Sequence, residues 1–442
     1  MRSLYVAAFT TAILLTGCGG AGGGSSNSPD SNYYGGSDHG GSSSDDPSAP
    51  PVATGDDTGS ETSPSDVPGG GQGTLEPGTL TAADWDDNLN LDFYLDFLAT
   101  VAEQGASLDM KVLPAADRIA IRVVDGQGVP ARDATLAIRD GDTHAPLKSL
   151  VTGSDGRTLY FPSLDGAATT FEVEVALAGQ SITKSFAAAE TVWAIAVPAV
   201  ATPTPALDLA IVIDNTGSMY DETDYLQAEL SWVVSQVSES NPGLRLRFAL
   251  VAYRDEGDEF VVRTNEFTSD LSEMLGWVSA LEANGGGDYP ESVAEALDAA
   301  MHLSWSSDDA VRVAFWIGDA PPQAERQLQT ADAAILARAK AIRVYPVAAS
   351  GVDTTAEWAM RQVAEFTSSR YIFLTDDSGV GGEHAEPHIP CYLVQKLNML
   401  MVRVLQSEVA GGWLYPTADQ IIRTAGSPTD GVCVVDGNTY YY

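Results

Sequence analysis

The 442-residue chain predicts a multi-domain protein: an α/β doubly wound (Rossmann-like) domain and an all-β sandwich domain behind a disordered N-terminal tether. Three observations carry this expectation. Between residues 206 and 411, short runs rich in Ile, Val and Leu alternate with helical patterns, as parallel strands covered on both faces require. Between residues 119 and 200, alternating runs are broken at even spacing by Asp-Gly and Ala-Gly, the pattern of antiparallel strands and turns. Residues 19–79 are mostly Gly, Ser, Asp and Pro. Ordering them would bury too little apolar surface to offset the entropy lost.

Charge narrows the partners. With 23 basic and 61 acidic residues the formal net charge is −38, a surface that repels nucleic acid phosphates and anionic membranes. No nucleic acid partner is expected, and membrane contact is expected through a lipid anchor alone.

That anchor is read from the first residues. Arg2 precedes an apolar run, Ser3–Thr16, that is too short to span a bilayer and ends in Leu15-Thr16-Gly17-Cys18. The segment 1–18 reads as a signal peptide, and its end resembles the bacterial lipobox. The resemblance implies that Cys18 is lipidated and becomes the mature amino terminus. Gly19, where an inner-membrane lipoprotein would carry Asp, implies the outer membrane of a cell envelope, with the periplasmic or surface face open. No Lys or Arg occurs between Arg2 and Lys111, so the tether 19–79 should extend by self-repulsion.

Residues 80–118 are expected as a helical lead-in, with Thr81 as cap and Trp85, Leu89, Phe93 and Phe97 at helical spacing. Asp84, Asp86, Asp87 and Asp92 lack the Gly and terminal Glu of an EF-hand loop. Residues 119–200 form the predicted sandwich. Its run VVDGQGVPARDATLAIRD…TGSDGRTLYFP resembles carboxypeptidase-regulatory-like or transthyretin-like modules, which implies a spacer or docking surface. Thr202–Pro205 is the linker out.

In the 206–411 region the expected strands are Leu207–Ile213, Leu244–Tyr253, Phe260–Phe267, Val311–Ile317, Ile342–Ala348 and Tyr371–Leu374. Phe260–Phe267 is the most polar and should be an antiparallel edge. Met219–Ser238, Glu291–Leu303, Ala324–Ala341 and Thr355–Phe366 read as helices. Cys391–Val409 reads as an apolar terminal helix, followed by a tail over 412–442. Cys391 and Cys433 are a candidate disulfide for an oxidising compartment, with two free thiols as the alternative.

Chemistry concentrates at three loops. Leu207–Ile213 delivers Asp214, Thr216 and Ser218 on a tight turn; Asn284–Ser292 reads NGGGDYPES; Val311–Pro322 ends its strand in Asp319. All offer hard oxygen ligands of the kind Mg²⁺, Mn²⁺ or Ca²⁺ prefers, outside the carboxyl ends of parallel strands. Together they resemble the von Willebrand factor type A (vWA) domain, whose metal-ion-dependent adhesion site opens with Asp-x-Ser/Thr-x-Ser. The resemblance implies that Thr216 and Ser218 bind a divalent cation directly, and Asp214 and Asp319 directly or through water. Asp288-Tyr289-Pro290-Glu291 resembles the Asp-x-Pro-Glu loop of integrin β-subunits, which assigns Glu291 as a ligand; as a simple first-turn acid, Glu291 would leave that position to water. Asp221 and Glu222 resemble part of a second cation site, and Asp288 with the Pro290 carbonyl part of a third.

No catalytic set competes: no His-Glu-x-x-His or Gly-x-Ser-x-Gly occurs. His384 and His388 are four apart, but Pro387 and the surrounding glycines argue against a helix aligning them on zinc. The expectation is therefore a non-enzyme whose bound Mg²⁺ (or Mn²⁺ or Ca²⁺) takes an acidic side chain from a protein partner in adhesion or recognition. A scaffold in which the metal only stabilises the fold is the alternative, and a metal-dependent hydrolase a third class.

Overall fold

A computed structural model describes residues 76–103, 112–200, 206–307, 309–379, 384, 387–429 and 431–442. The expected signal peptide with Cys18, the tether to residue 75 and the linker 202–205 lie outside the described residues. The chain enters through strand β1 (Thr81–Trp85) and helix α1 (Leu91–Glu103). It then builds β2 (Ile119–Val124), β3 (Thr135–Asp140), β4 (Pro146–Val151), β5 (Arg157–Tyr160), the short α2 (Pro162–Asp165), β6 (Thr170–Leu177), β7 (Gln180–Ala187) and β8 (Val192–Ala196). Next come β9 (Ala206–Asp214), α3 (Tyr220–Ser240), β10 (Arg245–Tyr253), β11 (Val262–Thr268), α4 (Leu271–Ser279) and α5 (Val293–Met301). The remainder is β12 (Val311–Gly318), α6 (Gln327–Ala339), β13 (Ile342–Ala348), α7 (Thr354–Phe366), β14 (Tyr371–Thr375), β15 (Tyr392–Lys396), α8 (Leu397–Ala410), β16 (Arg423–Ala425), β17 (Val432–Val435) and β18 (Asn438–Tyr441).

One nine-stranded sheet, ordered β11-β10-β9-β12-β13-β14-β1-β15-β16, organises these elements. Strands β10, β9, β12, β13 and β14 run parallel, and β11 closes that side antiparallel, as its polarity predicted. Apolar residues of α5, α6 and α7 cover one face, with α1 beside them. Those of α3, α4 and α8 cover the other. Covered on both sides, all nine residues of β9 are buried, which is why that stretch reads as a largely apolar run in which Asp208 and the terminal Asp214 are the charged residues.

Two expectations about this layer fail. Thr81–Trp85 is a strand, not the start of a helix; the lead-in is helical only from Leu91 within its described part. The strand inserts between β14 and β15, pairing antiparallel with both. Ala83 and Trp85 face one core and Leu80 and Ala82 the other. Two-sided pairing and two-sided burial outweigh the helical spacing of its aromatics. Likewise Cys391–Val409 is not one helix: Tyr392–Lys396 is a sheet strand and only Leu397–Ala410 is helical. The α/β body therefore does not end at residue 411. Its sheet continues into β16, and the β17–β18 hairpin returns to α1 through Tyr440, whose ring meets Trp85 and Phe93. Cys391 and Cys433 are joined by a disulfide.

Strands β5-β2-β8 and β4-β3-β6-β7 form two small sheets whose apolar residues share one cluster around Trp193 and Phe171. They belong, with the described part of the α/β body, to one compact unit. The joint is physical. Phe161 stacks on Phe366 of α7 at 4.4 Å, and Arg338 of α6 grips Asp165 through Nη1 (2.7 Å) and Nη2 (2.6 Å). Arg312 reaches Asp133 at 3.0 Å, and Arg343 bonds Asp155.

Burial alone would raise the Asp165 carboxyl, but the hydrogen bonds and charge of Arg338, with the Phe161 N–H and Lys148, hold it below the ordinary 3.8. A depressed folded pKa gives stability that is complete above the unfolded value and lost as pH falls through the folded one. Arg338→Ala should therefore cost about 3–5 kcal/mol at neutral pH by stranding a buried carboxylate. The loss should shrink as pH falls through the depressed folded pKa of Asp165 and the carboxyl protonates; urea melts at pH 7 and across the acid range check both.

Candidate functional site

Strands β9 to β14 repeat the doubly wound order 3-2-1-4-5-6, with the third, β11, antiparallel and the reversal between β9 and β12. Ligands in such sheets bind outside the strand carboxyl ends at that reversal. There β9 ends in Asp214, and Asp319 follows β12 directly. Asp214, Thr216, Glu291 and Asp319 are all buried, at 1%, 0%, 3% and 4% exposure, while Ser218 is open to solvent.

The first loop is preorganised. The Thr216 N–H and Oγ1 both donate to Asp214 Oδ1, at 2.9 and 2.7 Å, and Thr216 Oγ1 lies 3.0 Å from Ser218 Oγ. Backbone bonds then tie the three loops together. Gly217 N–H donates to the Gly285 carbonyl (3.1 Å), Asn284 N–H to Asn215 (3.1 Å), and Glu291 N–H to Pro321 (3.0 Å). The glycines of the middle loop are needed for this approach. Gly286 has φ +77°, and a Cβ there would lie 3.2 Å from Glu291 Oε1 and 3.3 Å from Thr216 Cβ.

Electrostatically the site is short of positive charge. Burial, then the neighbouring Asp319, pushes Asp214 up to about 7. Burial, then Asp214, Asp255, Asp319 and Asp258, pushes Glu291 up to about 9. Glu291 Oε2 and Asp214 Oδ2 are buried without a well-formed hydrogen bond, although the Tyr253 hydroxyl is near enough to Asp214 to ease its ionisation a little. Arg254 brings little relief, since its Nε and Nη2 donate to the Asn215 and Glu282 carbonyls at 3.1 and 2.8 Å. Among the described residues no three His, Cys, Asp or Glu side chains close into a metal-holding group. Any cation would therefore rest on a mixed set of carboxylates and hydroxyls, a set that suits a hard dication.

Other expected groups are engaged elsewhere. Glu222 accepts from Ser350 N–H at 3.2 Å and pairs with His384 Nε2 at 3.0 Å, while His384 Nδ1 meets Asp376 at 2.8 Å. His388 instead meets Glu357 at 2.9 Å. The Asp221 side chain lies outside the described residues. Asp288 faces Asp255.

Three contributors escaped the sequence reading. Asp258 Oδ2 holds the middle loop through Gly286 N–H (2.8 Å) and its own loop through Asp255 N–H (3.1 Å). The Tyr289 hydroxyl sits 3.2 and 3.0 Å from the Asp319 and Gly351 carbonyls and accepts from Asp353 N–H at 2.9 Å. Tyr253 ends β10 with its hydroxyl accepting from Trp316 Nε1 (3.1 Å). The signal for the Tyr253–Asp258 run was present: YRDEGD also follows the carboxyl end of an apolar strand.

The doubly wound sheet and its switch-point loops define an α/β domain with a ligand crevice at the strand carboxyl ends. Residues 208–383 match the family model for the von Willebrand factor A domain. Such a domain points to protein–protein interaction or adhesion in general. Among curated proteins, this chain is 28% identical over 116 residues to a protein named as an ariadne-like RING finger protein of Acanthamoeba polyphaga mimivirus. It is 28% identical over 120 residues to the alpha-protein kinase vwkA of Dictyostelium discoideum, and 33% over 98 residues to von Willebrand factor A domain-containing protein 7 of Rattus norvegicus. These stretches cover 26%, 26% and 22% of this chain but 11%, 18% and 10% of the relatives' own lengths. Among solved structures, it is similar to the conserved hypothetical protein BatB of Bacteroides thetaiotaomicron (13% identity, TM-score 0.33, covering 46% of this chain and 98% of that one). A von Willebrand factor type A protein from Catenulispora acidiphila gives 13% identity and a TM-score of 0.32, covering 64% of this chain and 50% of that one.

Gly286→Ala should test the crowding. A β-carbon at that positive φ, pressed against Glu291 and Thr216, should lower stability by about 1–2 kcal/mol, whereas Gly243→Ala, whose Cβ would meet nothing within 4 Å, should not. Differential scanning calorimetry of both variants reads the difference.

Proposed function

We propose that the chain is a membrane-anchored envelope lipoprotein whose vWA domain binds a divalent cation and uses it for metal-dependent protein recognition or adhesion, without enzymatic activity. The observation that carries this reading is the pair Asp214 and Glu291. Both are buried carboxylates with raised pKa values, each with an oxygen lacking a well-formed partner, set beside two hydroxyls. Burying such charge without compensation is costly. Asp214, Thr216, Ser218, Glu291 and Asp319 would hold Mg²⁺, or Mn²⁺ or Ca²⁺. When bound, the ion would supply a positive point in an acidic surface with a coordination position for a partner's acidic side chain. Thr216 orients Asp214, and Tyr289 and Asp258 hold the loops.

The rest of the reading surrounds this site. Cys18 would carry the lipid, with outer-membrane attachment, and residues 19–79 would be the acidic tether. The two small sheets over residues 119–200 would act as a carboxypeptidase-regulatory-like sandwich, clamped to the vWA domain as a spacer. Relatives named as a kinase and a RING finger protein match over fragments alone, so their activities give no ground for assigning chemistry here.

Mg²⁺ or Mn²⁺ at about 100 times its dissociation constant should stabilise the wild type by roughly 2.7 kcal/mol, read as a rise in melting temperature. Asp214→Ala should abolish the rise and Thr216→Ala or Glu291→Ala weaken it, while Glu325→Ala should leave it intact. Equal calorimetric binding by wild type and Asp214→Ala would refute the metal assignment. A pull-down from envelope extracts that is unchanged by EDTA would instead leave the ion as a fold stabiliser within a scaffold.

A further inference from the structure

At the opposite edge of the sheet, where β13 and β14 begin, a cleft of about 300 Å³ opens between the small sheets and the α/β body. In a chain with 23 basic and 61 acidic residues, its wall carries Arg122, Arg157, Arg343 and Arg370. We propose that this cleft is a carboxylate-binding site, independent of the metal loops, for a single acidic group carried by a small organic acid or by a residue of a peptide.

The acceptors already present are engaged, and donors remain. Asp155 bonds Arg343, Glu408 takes the Tyr345 and Ser154 hydroxyls, and Asp86 Oδ1 accepts from the N–H groups of Asn88 and Leu89 at 2.9 and 3.1 Å. Arg370 is 3% exposed. Its Nε lies 2.6 Å from Asp84, its Nη1 3.6 Å from Asp86 Oδ2 and its guanidinium 4.0 Å over the Trp413 ring, yet its buried Nη2 has no hydrogen-bond acceptor. A guanidinium held by carboxylates on two of its nitrogens and stacked on an aromatic plane keeps a fixed orientation in which Nη2 can receive an anion. Arg122 and Arg157 stand exposed at the rim and add attraction at long range. The volume falls at the lower bound of small-ligand pockets, which suits one acidic residue or a small acid. Trp413 and Tyr415 in the same wall supply apolar surface for the carbon skeleton that carries it.

The test uses the full chain in EDTA, so that the metal loops contribute nothing. Calorimetric titrations compare N-acetyl-glutamate with N-acetyl-glutamine, and a hexapeptide holding one Glu with its Gln counterpart. Each acid should bind and each amide should not. Equal affinity for the free acid and the peptide assigns a small acid, whereas tighter peptide binding assigns a polypeptide ligand. Arg122→Glu combined with Arg157→Glu should weaken binding at least about tenfold with an unchanged melting temperature, since both side chains are exposed, and Asp319→Ala should leave it at the wild-type value. If the double reversal perturbs folding, Arg122→Gln with Arg157→Gln reads the same loss. Acid and amide binding alike, no binding of either acid, or wild-type affinity in the folded double variant would overturn the proposal.

Discussion

Strand β9 sets the physical problem on which the molecule turns, because it is buried along its whole length and still carries an Asp near each end. Near its start, Asp208 is fully buried and held by Arg247, whose Nε and Nη2 reach it at 2.9 and 2.5 Å, with Ser306 N–H at 2.7 Å. At its end, Asp214 is buried to the same degree but meets a hydroxyl, a backbone N–H and other acids. The same strand thus shows both ways of treating a buried carboxylate. One is neutralised by a guanidinium fork. The other has a raised pKa, through burial first and the neighbouring Asp319 second, as groups at functional sites often do.

The connectivity explains why that strand can be so completely enclosed. Strand β1 precedes the small sheets in sequence, yet it fills the gap between β14 and β15, so the small sheets interrupt a sheet that closes around them. Entry to β1 is anchored by one residue of α3: Glu229 accepts the N–H groups of Gly78, Thr79 and Leu80 at 2.8, 2.9 and 3.1 Å. The far side is stapled by the Cys391–Cys433 disulfide and by Asn90, which exchanges hydrogen bonds with the backbone of Tyr441 at 2.8 and 2.6 Å. With α6, α7 and α8 gripping the small sheets through Arg338, Phe366 and Glu408, the elements over residues 76–442 brace one another.

What the sequence revealed follows from the range of the forces involved. The parallel strands were legible because two-sided burial imposes mostly apolar runs, and the site loops because strand ends concentrate oxygen-bearing turns. Thr81–Trp85 was illegible because TAADW has no strong strand composition; its state is decided by partners nearly 300 residues away. Tyr392–Lys396 was hidden for a related reason, since its apolar residues continue smoothly into those of α8. Asp258 and Tyr289 act through backbone groups of other loops, a role that leaves no mark on local pattern. YRDEGD, by contrast, obeys the rule that exposes the other loops, although it offers no hydroxyl pair.

Opposite signs at the two edges of the sheet complete the electrostatic logic. The carboxyl edge gathers acids whose mutual repulsion favours a cation; the amino edge gathers arginines beside carboxylates that are already hydrogen-bonded. In a chain of net charge −38 an acidic ligand is repelled at long range, so it can settle only where local positive charge outweighs the overall field. A bound dication would create such a point at one edge, and Arg370 with its exposed neighbours provides one at the other. The two would differ in their dependence on metal: a chelator would remove the first and leave the second in place.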